Sequence, residues 1–227
     1  MDKKQRIPAG VIPGYSLFPI TLAILLNQTA YYGSRIIAGE WHHYNLETRL
    51  DLSIPFWPPA VSVYFGSYLF WAASYILLAR QEKKEVYHFF FSLALSKIVC
   101  MAFFLLLPTT NTRPAVELEG FWNQMMIFLY SADAADNLFP SIHCLESWLC
   151  FAGIRNRRGT SLRLQVFSGV AAVLICASTL LTKQHVIIDV IGGVALAELC
   201  FYLGKGKQAL NIYGKCMDKI NAKVLRL

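Results

Sequence analysis

The sequence predicts an all-α fold, a polytopic membrane bundle of six transmembrane helices with one short interfacial helix. Three observations carry that expectation. The 227 residues are 56% hydrophobic and only 15% charged, where soluble domains carry about 25% charged residues. Apolar runs of roughly spanning length recur along the chain, and Lys and Arg gather in alternate connecting segments.

Hydrocarbon offers no partner for free backbone groups, so a spanning helix needs about 20 mostly apolar residues. The first run, 15–38, follows Lys3, Lys4 and Arg6, but it is long and lacks a small-residue cleavage site, so it is expected to stay attached as a span. The second and third runs, 60–79 and 86–107, are separated by Arg80, Lys83 and Lys84. The fourth, 141–154, is short and is expected to begin within protein at the outer membrane surface. The fifth and sixth, 164–181 and 186–204, complete the bundle. With no internal repeat and no low-complexity linker, the chain reads as a single integral membrane domain, 1–227, with a core at about 60–204 and a tail at 205–227.

Cations tend to remain on the cytoplasmic side. With the N-terminus inside, Arg80, Lys83 and Lys84, then Arg155, Arg157, Arg158 and Arg163, then Lys205, Lys207, Lys215, Lys219, Lys223 and Arg226 join the first three, sixteen in all. The opposite side receives Arg35, Arg49, Arg113 and Lys183, and Lys97 falls inside the third span. Both termini are therefore expected to be cytoplasmic in a cell-membrane protein, with segments 39–59, 108–140 and 182–185 outside. The net charge of +7 is explained by topology and implies no nucleic-acid partner. Residues 120–130, GFWNQMMIFLY, are too short to cross but apolar enough to lie in the headgroup zone. They read equally as a lipid-guiding lid or as a helix packed over the bundle. Trp41, Trp57 and Trp122 are expected to be interfacial anchors. The six cysteines form no CxxC pair and mostly fall in apolar stretches, as small buried hydrophobes would.

Three segments distant in sequence meet at the outer boundary: NTRP at 111–114, PSIH at 140–143 and TKQHVIID at 182–189. Arg113 offers a planar fork of donors suited to phosphate oxygens. His143 lies in the first turn of the fourth span, where unpaired N–H groups and the positive dipole end favour an anion. His185 and Asp189 are four apart, on one face at the start of the sixth span. The carboxylate can orient the imidazole, leaving its other nitrogen free as a base, a metal ligand or a nucleophile toward phosphorus. Arg113 and Lys183 would repel a metal and attract phosphate, so neither a metal nor a cofactor is expected. Adjacent His42 and His43 read as a solvated loop, and His88 as structural.

With these residues in place, the sequence resembles the type 2 phosphatidic acid phosphatase superfamily, metal-independent enzymes with a six-helix membrane core. The family pattern is a Lys, six residues and Arg-Pro; then Pro-Ser-Gly-His; then Ser-Arg, five residues, His, three residues and Asp. Arg113-Pro114, Pro140-Ser141-Ile142-His143, and Ser178, His185 and Asp189 match it in order across roughly residues 60–204. Leu106 and Thr179 stand where the family has a Lys and an Arg, and Ile142 replaces its Gly. Thr179, with Gln184 beside the His, is similar to the branch that includes inositol-phosphorylceramide and sphingomyelin synthases and many bacterial phosphatases. Hydrolase and lipid phosphotransferase therefore both stay open.

The resemblance implies an extracytoplasmic active site and a membrane lipid phosphate as substrate. His185 would attack phosphorus to give a phosphohistidine, braced by Asp189, while His143 serves first as general acid and then as general base. Arg113, Lys183, Ser141 and Ser178 would hold phosphoryl oxygens, with the backbone N–H groups that begin the fourth span; a simple anchoring role for Lys183 stays open. A homodimer is compatible with this reading. Lys97 and Glu198 fall at similar depth and are expected to pair, intramembrane charges being costly alone. Glu146, one turn below His143, has no settled place. Gly192-Gly193 is expected to permit close helix packing.

Overall fold

The computed structural model describes residues 12–157 and 159–225; Lys3, Lys4, Arg6, Arg158 and Arg226, counted above as cytoplasmic charges, lie outside them. The fold is all-α. Helix α1 (Gly14–Gln28) runs through a π-helical turn, Thr29–Gly33, into α2 (Ser34–Ala38), with right-handed helical backbone at both junctions. Helix α3 (Arg49–Ser53) is short and capped by Thr48 and Asp51, each accepting from the other's backbone N–H. A 3₁₀ turn, Pro58–Ala60, leads into α4 (Val61–Ala79), its two prolines preset for a helix start. Then come α5 (Lys83–Leu106), α6 (Phe121–Ala132), α7 (Ile142–Asn156), α8 (Leu162–Leu181), α9 (Ile187–Leu203) and α10 (Lys207–Leu225). Two-residue strands β1 (Tyr44–Asn45) and β2 (Thr109–Thr110) pair in parallel and tie the segment between α2 and α4 to the end of α5.

Among the described residues, three helices are long and apolar enough to cross a membrane: Pro58–Ala79, Lys83–Leu106 and Leu162–Leu181. A fourth crossing arises if α9 and α10, bent by 84° at their junction, count as one span. Helix α7 has 15 residues, about 22 Å at ~1.5 Å each, which is short of a bilayer core, as its sequence suggests. It lies at the centre, packed on α4, α8 and α9, while α5 packs on α1 and α9. Gly193 makes the α7–α9 approach possible, because a Cβ there would sit 2.6 Å from the Ser141 carbonyl oxygen and 3.2 Å from Cys144 Cβ. That contact brings the starts of α7 and α9 together, and the Ser141 N–H donates to the Asp189 carbonyl at 3.1 Å.

Helix α6 is the expected interfacial element. Met126 and Leu129 bury against Val61 and Tyr64 at the top of α4, while Phe121, Trp122 and Phe128 stay exposed. It therefore packs over the bundle with a second apolar face turned outward. The tail is helical as well: α10 lays Leu210, Tyr213 and Met217 against the bundle, packing on α1 and α5.

The charge pairing inside the bundle corrects the expectation. Lys97 pairs with Glu146, both buried, at 2.5 Å, and Tyr75 donates its hydroxyl to the same carboxylate. Glu198 instead takes Arg155 at 2.6 Å and the Trp148 indole at 2.7 Å. Residue counting gives depth but not direction around the helix. Glu146 sits on the central helix, which α5 also touches, whereas Glu198 faces the lower end of α7.

Candidate functional site

A cavity of about 280 Å³ opens at one end of the bundle, and both His143 and His185 line it. Their ring centres are 6.5 Å apart, inclined at 50°, a separation that a phosphoryl group can bridge. The two rings come from independent elements and are held in different ways.

His185 sits on the tight connection between α8 and α9. The Thr179 carbonyl accepts from both Gln184 N–H at 3.0 Å and His185 N–H at 3.1 Å, and Lys183 adopts a left-handed backbone with φ of 52°. The segment is clamped from outside as well. Trp57 N–H reaches the Leu181 carbonyl at 2.9 Å, Tyr130 hydroxyl the Thr182 carbonyl at 2.8 Å, and Asn111 amide the Lys183 carbonyl at 2.8 Å. Asp51 accepts the Ile187 N–H at 2.6 Å. Burial on its own would raise the Asp51 carboxyl, but hydrogen bonds from Thr48 and Ile187 outweigh it and hold the pKa below the usual value.

Asp189, fully buried, accepts from the Val186 N–H at 3.0 Å, and its Oδ2 lies 3.3 Å from His185 Nδ1. The i, i+4 spacing therefore becomes a contact across the start of α9. Burial alone would lower the His185 pKa; the hydrogen bond and negative charge of Asp189 outweigh it, so the imidazole titrates above its ordinary value. With Nδ1 donating to Asp189, Nε2 carries the free lone pair.

His143 follows Ser141, whose hydroxyl caps α7 by accepting the Cys144 N–H at 3.3 Å. The ring is boxed by aromatics: Tyr64 stacks on it at 4.2 Å, and Trp71 and Tyr68 stand at 5.0 and 5.8 Å. Its Nδ1 lies 3.3 Å from the Tyr64 hydroxyl, which in turn donates to Asp133 Oδ2 at 3.1 Å. His143 Nε2 meets no partner among the described residues. A phenol thus stands between this histidine and its carboxylate.

Asp133 and Asp136 both line the cavity with Tyr31, Tyr68 and Gln184. Tyr31, from the π-helical turn, donates to the other Asp133 oxygen; π turns inside helices often mark functional sites. Asp136 pairs with Arg35 at 2.8 Å.

The expected phosphate-binding residues divide. Arg113 is at the site, yet its guanidinium donates to the Asp133 carbonyl and to Gln184 Oε1 and lies 4.6 Å from the Tyr130 ring centre. Lys183 does not line the cavity; its amine donates to the carbonyls of Asp51 at 2.8 Å and Ile54 at 2.6 Å, anchoring the segment that leads into α4. The Ser178 hydroxyl is buried and spent on the Ile175 carbonyl at 2.7 Å, since α8 carries that residue into the helix interior. Ser141 acts through its cap. The residues that pattern reading passed over are Tyr64, Asp133 and Asp136. Tyr64 looked like any aromatic at a span end, while the two acids just before PSIH were a usable signal.

The family model of the PAP2 superfamily matches residues 55–203, which takes in Tyr64, Arg113, Asp133, Asp136, His143, Gln184, His185 and Asp189 but not Tyr31, Arg35, Thr48, Asp51 or Ile54. No curated protein and no solved structure matches the chain significantly.

Proposed function

The chain belongs to the PAP2 superfamily, and from that membership we propose that it is an integral membrane lipid phosphate phosphatase working through a phosphohistidine. The observation that carries this reading is the pair of imidazoles 6.5 Å apart in one cavity, one of them backed by a buried carboxylate. His185 Nε2 attacks phosphorus as the bond to the lipid oxygen breaks, and His143 Nε2 delivers the proton to that oxygen. Water then attacks the phosphohistidine, the N–P bond breaks, and His143 takes the water's proton. Asp189 stabilises the positive ring of His185 throughout.

The same reading sets the six spans with both termini cytoplasmic and the site outside. Arg113, His185 and the start of α7 all fall on connections that are poor in Lys and Arg, which supports this orientation. The apolar outer face of α6 then lies at the lipid surface from which substrate enters.

A second reading, transfer of a phospho-headgroup to a lipid alcohol, is favoured by one observation. The described residues that line the cavity include two aspartates and no lysine or arginine, a lining better suited to a singly charged phosphodiester than to a doubly charged monoester. Phosphate release should be measured with EDTA present from phosphatidic acid, lysophosphatidic acid, ceramide phosphate, phosphatidylglycerol phosphate and undecaprenyl pyrophosphate. Release by the parent and none by His185→Ala is expected. No release from any of them overturns the phosphatase reading, and product appearing only when an alcohol acceptor is added establishes the transferase.

A further inference from the structure

Phosphoryl transfer needs donors aimed at oxygens on which charge develops, yet the expected cations are elsewhere. Leu106, at the place of one family cation, is 82% exposed on the outside of the bundle, and Thr179, at the other, is fully buried. Lys183 is committed to two carbonyls. Arg113 points its fork at a carbonyl and at the side chain of Gln184.

That last contact fixes the Gln184 amide. A guanidinium has donors only, so the amide must turn its oxygen toward Arg113 and its NH₂ to the opposite edge. The NH₂ nitrogen is buried and meets no acceptor among the described residues. Gln184 is 1% exposed, lines the cavity and immediately precedes His185. A buried donor without a partner is costly, and a bound phosphoryl oxygen would supply the missing acceptor. Charge on Arg113 draws electron density from the amide oxygen and so strengthens the N–H groups as donors.

We propose that the Gln184 side-chain amide binds a phosphoryl oxygen of the substrate, with Arg113 behind it as a positioning residue that orients and polarises that amide. This rests on the phosphoryl-transfer reading of the site. It differs from a direct Arg–phosphate contact, because the cation reaches the substrate through a neutral group.

Gln184→Glu separates this role from a purely structural one. The variant keeps an oxygen for Arg113 and the same shape, but it removes both N–H groups and places negative charge where phosphate would sit. The full-length chain in detergent is assayed for lipid phosphate turnover, for binding of orthovanadate followed by tryptophan fluorescence, and for thermal stability. In Gln184→Glu, kcat/KM is expected to fall by about 10²-fold or more, as on loss of an oxyanion donor. Vanadate binding should weaken more than tenfold with the thermal midpoint unchanged. Arg113→Ala should weaken vanadate binding in the parent and have no further effect in a neutral Gln184→Met background, which has no amide to orient or polarise. Parent-like turnover and vanadate binding in Gln184→Glu, or additive losses in the double variant, overturn the proposal. A parent chain that neither turns over lipid phosphate nor binds vanadate defeats the phosphoryl-transfer reading itself.

Discussion

The two histidines face one cavity but stand on unlike supports. His185 touches a carboxylate directly, on a connection held by Trp57, Asn111, Tyr130 and Asp51. His143 touches a phenol inside a stack of aromatic rings, and its carboxylate, Asp133, is one hydroxyl further away. A carboxylate in contact stabilises a ring that becomes positively charged and stays so, which is what a covalently bonded nucleophile needs. A phenol supplies direction with far less charge, which suits a ring that must give up a proton and recover it within one cycle. The difference in support is thus a physical reason to assign the nucleophile to His185 and the proton carrier to His143.

The sharpest way to break this comparison is Asp189→Asn. It leaves the shape but removes the charge behind His185, and turnover should fall by about 10³- to 10⁴-fold, as when a catalytic imidazole loses its buried carboxylate. The residual activity should also change with pH. The raised pKa in the parent means that Nε2 is protonated on the acid side, so kcat/KM should climb with pH through a limb above about 6.5, the ordinary value of histidine. In Asp189→Asn that limb moves to lower pH. Linkage runs the opposite way for stability: the His185–Asp189 pair contributes fully below the ordinary histidine value and the contribution is lost as pH rises through the raised one. A pH profile whose acid limb does not move in Asp189→Asn would break the assignment of His185 as the group braced by charge.

Tyr64→Phe should be milder. The ring stack on His143 survives while the hydroxyl link to Asp133 goes, so a loss of about tenfold is expected, less than the 10²- to 10⁴-fold that positioned proton transfer contributes because the histidine itself remains. The loss should appear in kcat with KM little changed, and it should be smaller for substrates whose leaving group needs no proton, such as an aryl phosphate. Equal losses for lipid and aryl substrates would mean that Tyr64 packs against His143 without orienting it.

The contrast between the supports also marks what the sequence made legible. Spacing put His185 and Asp189 on one face and His143 at a helix start, which is local geometry, and the charge-derived topology brought them to one end with Arg113. The long apolar helices α4, α5 and α8 were equally plain, being set by backbone satisfaction in hydrocarbon. What escaped depends on direction around an axis or on contacts between distant segments. Lys97 was matched with Glu198 by depth and found Glu146 by direction. Lys183 looked free to serve a phosphate until residues 51–54 folded over it. Tyr64 and Trp71 could not be told from an aromatic belt, and Gln184 acquires its meaning only once Arg113 is seen to take its oxygen.

The smallest effect on chemistry is expected at Lys183, and it tests whether the clamp around His185 is mechanical. The amine donates at 2.8 and 2.6 Å to the carbonyls of Asp51 and Ile54, bonds to a charged donor that are typically worth about 1.5–3 kcal/mol each when well formed. Methionine keeps the length and the apolar stem, and it meets the same backbone demand at φ of 52° as lysine does. Lys183→Met should therefore lower the thermal midpoint while leaving KM for the lipid phosphate within about twofold. It should also make residues 39–59 exchange amide hydrogens faster, since these bonds hold that segment down. If KM instead rises more than tenfold with the midpoint unmoved, the amine serves the phosphate, and the site holds a cation that reaches its substrate directly.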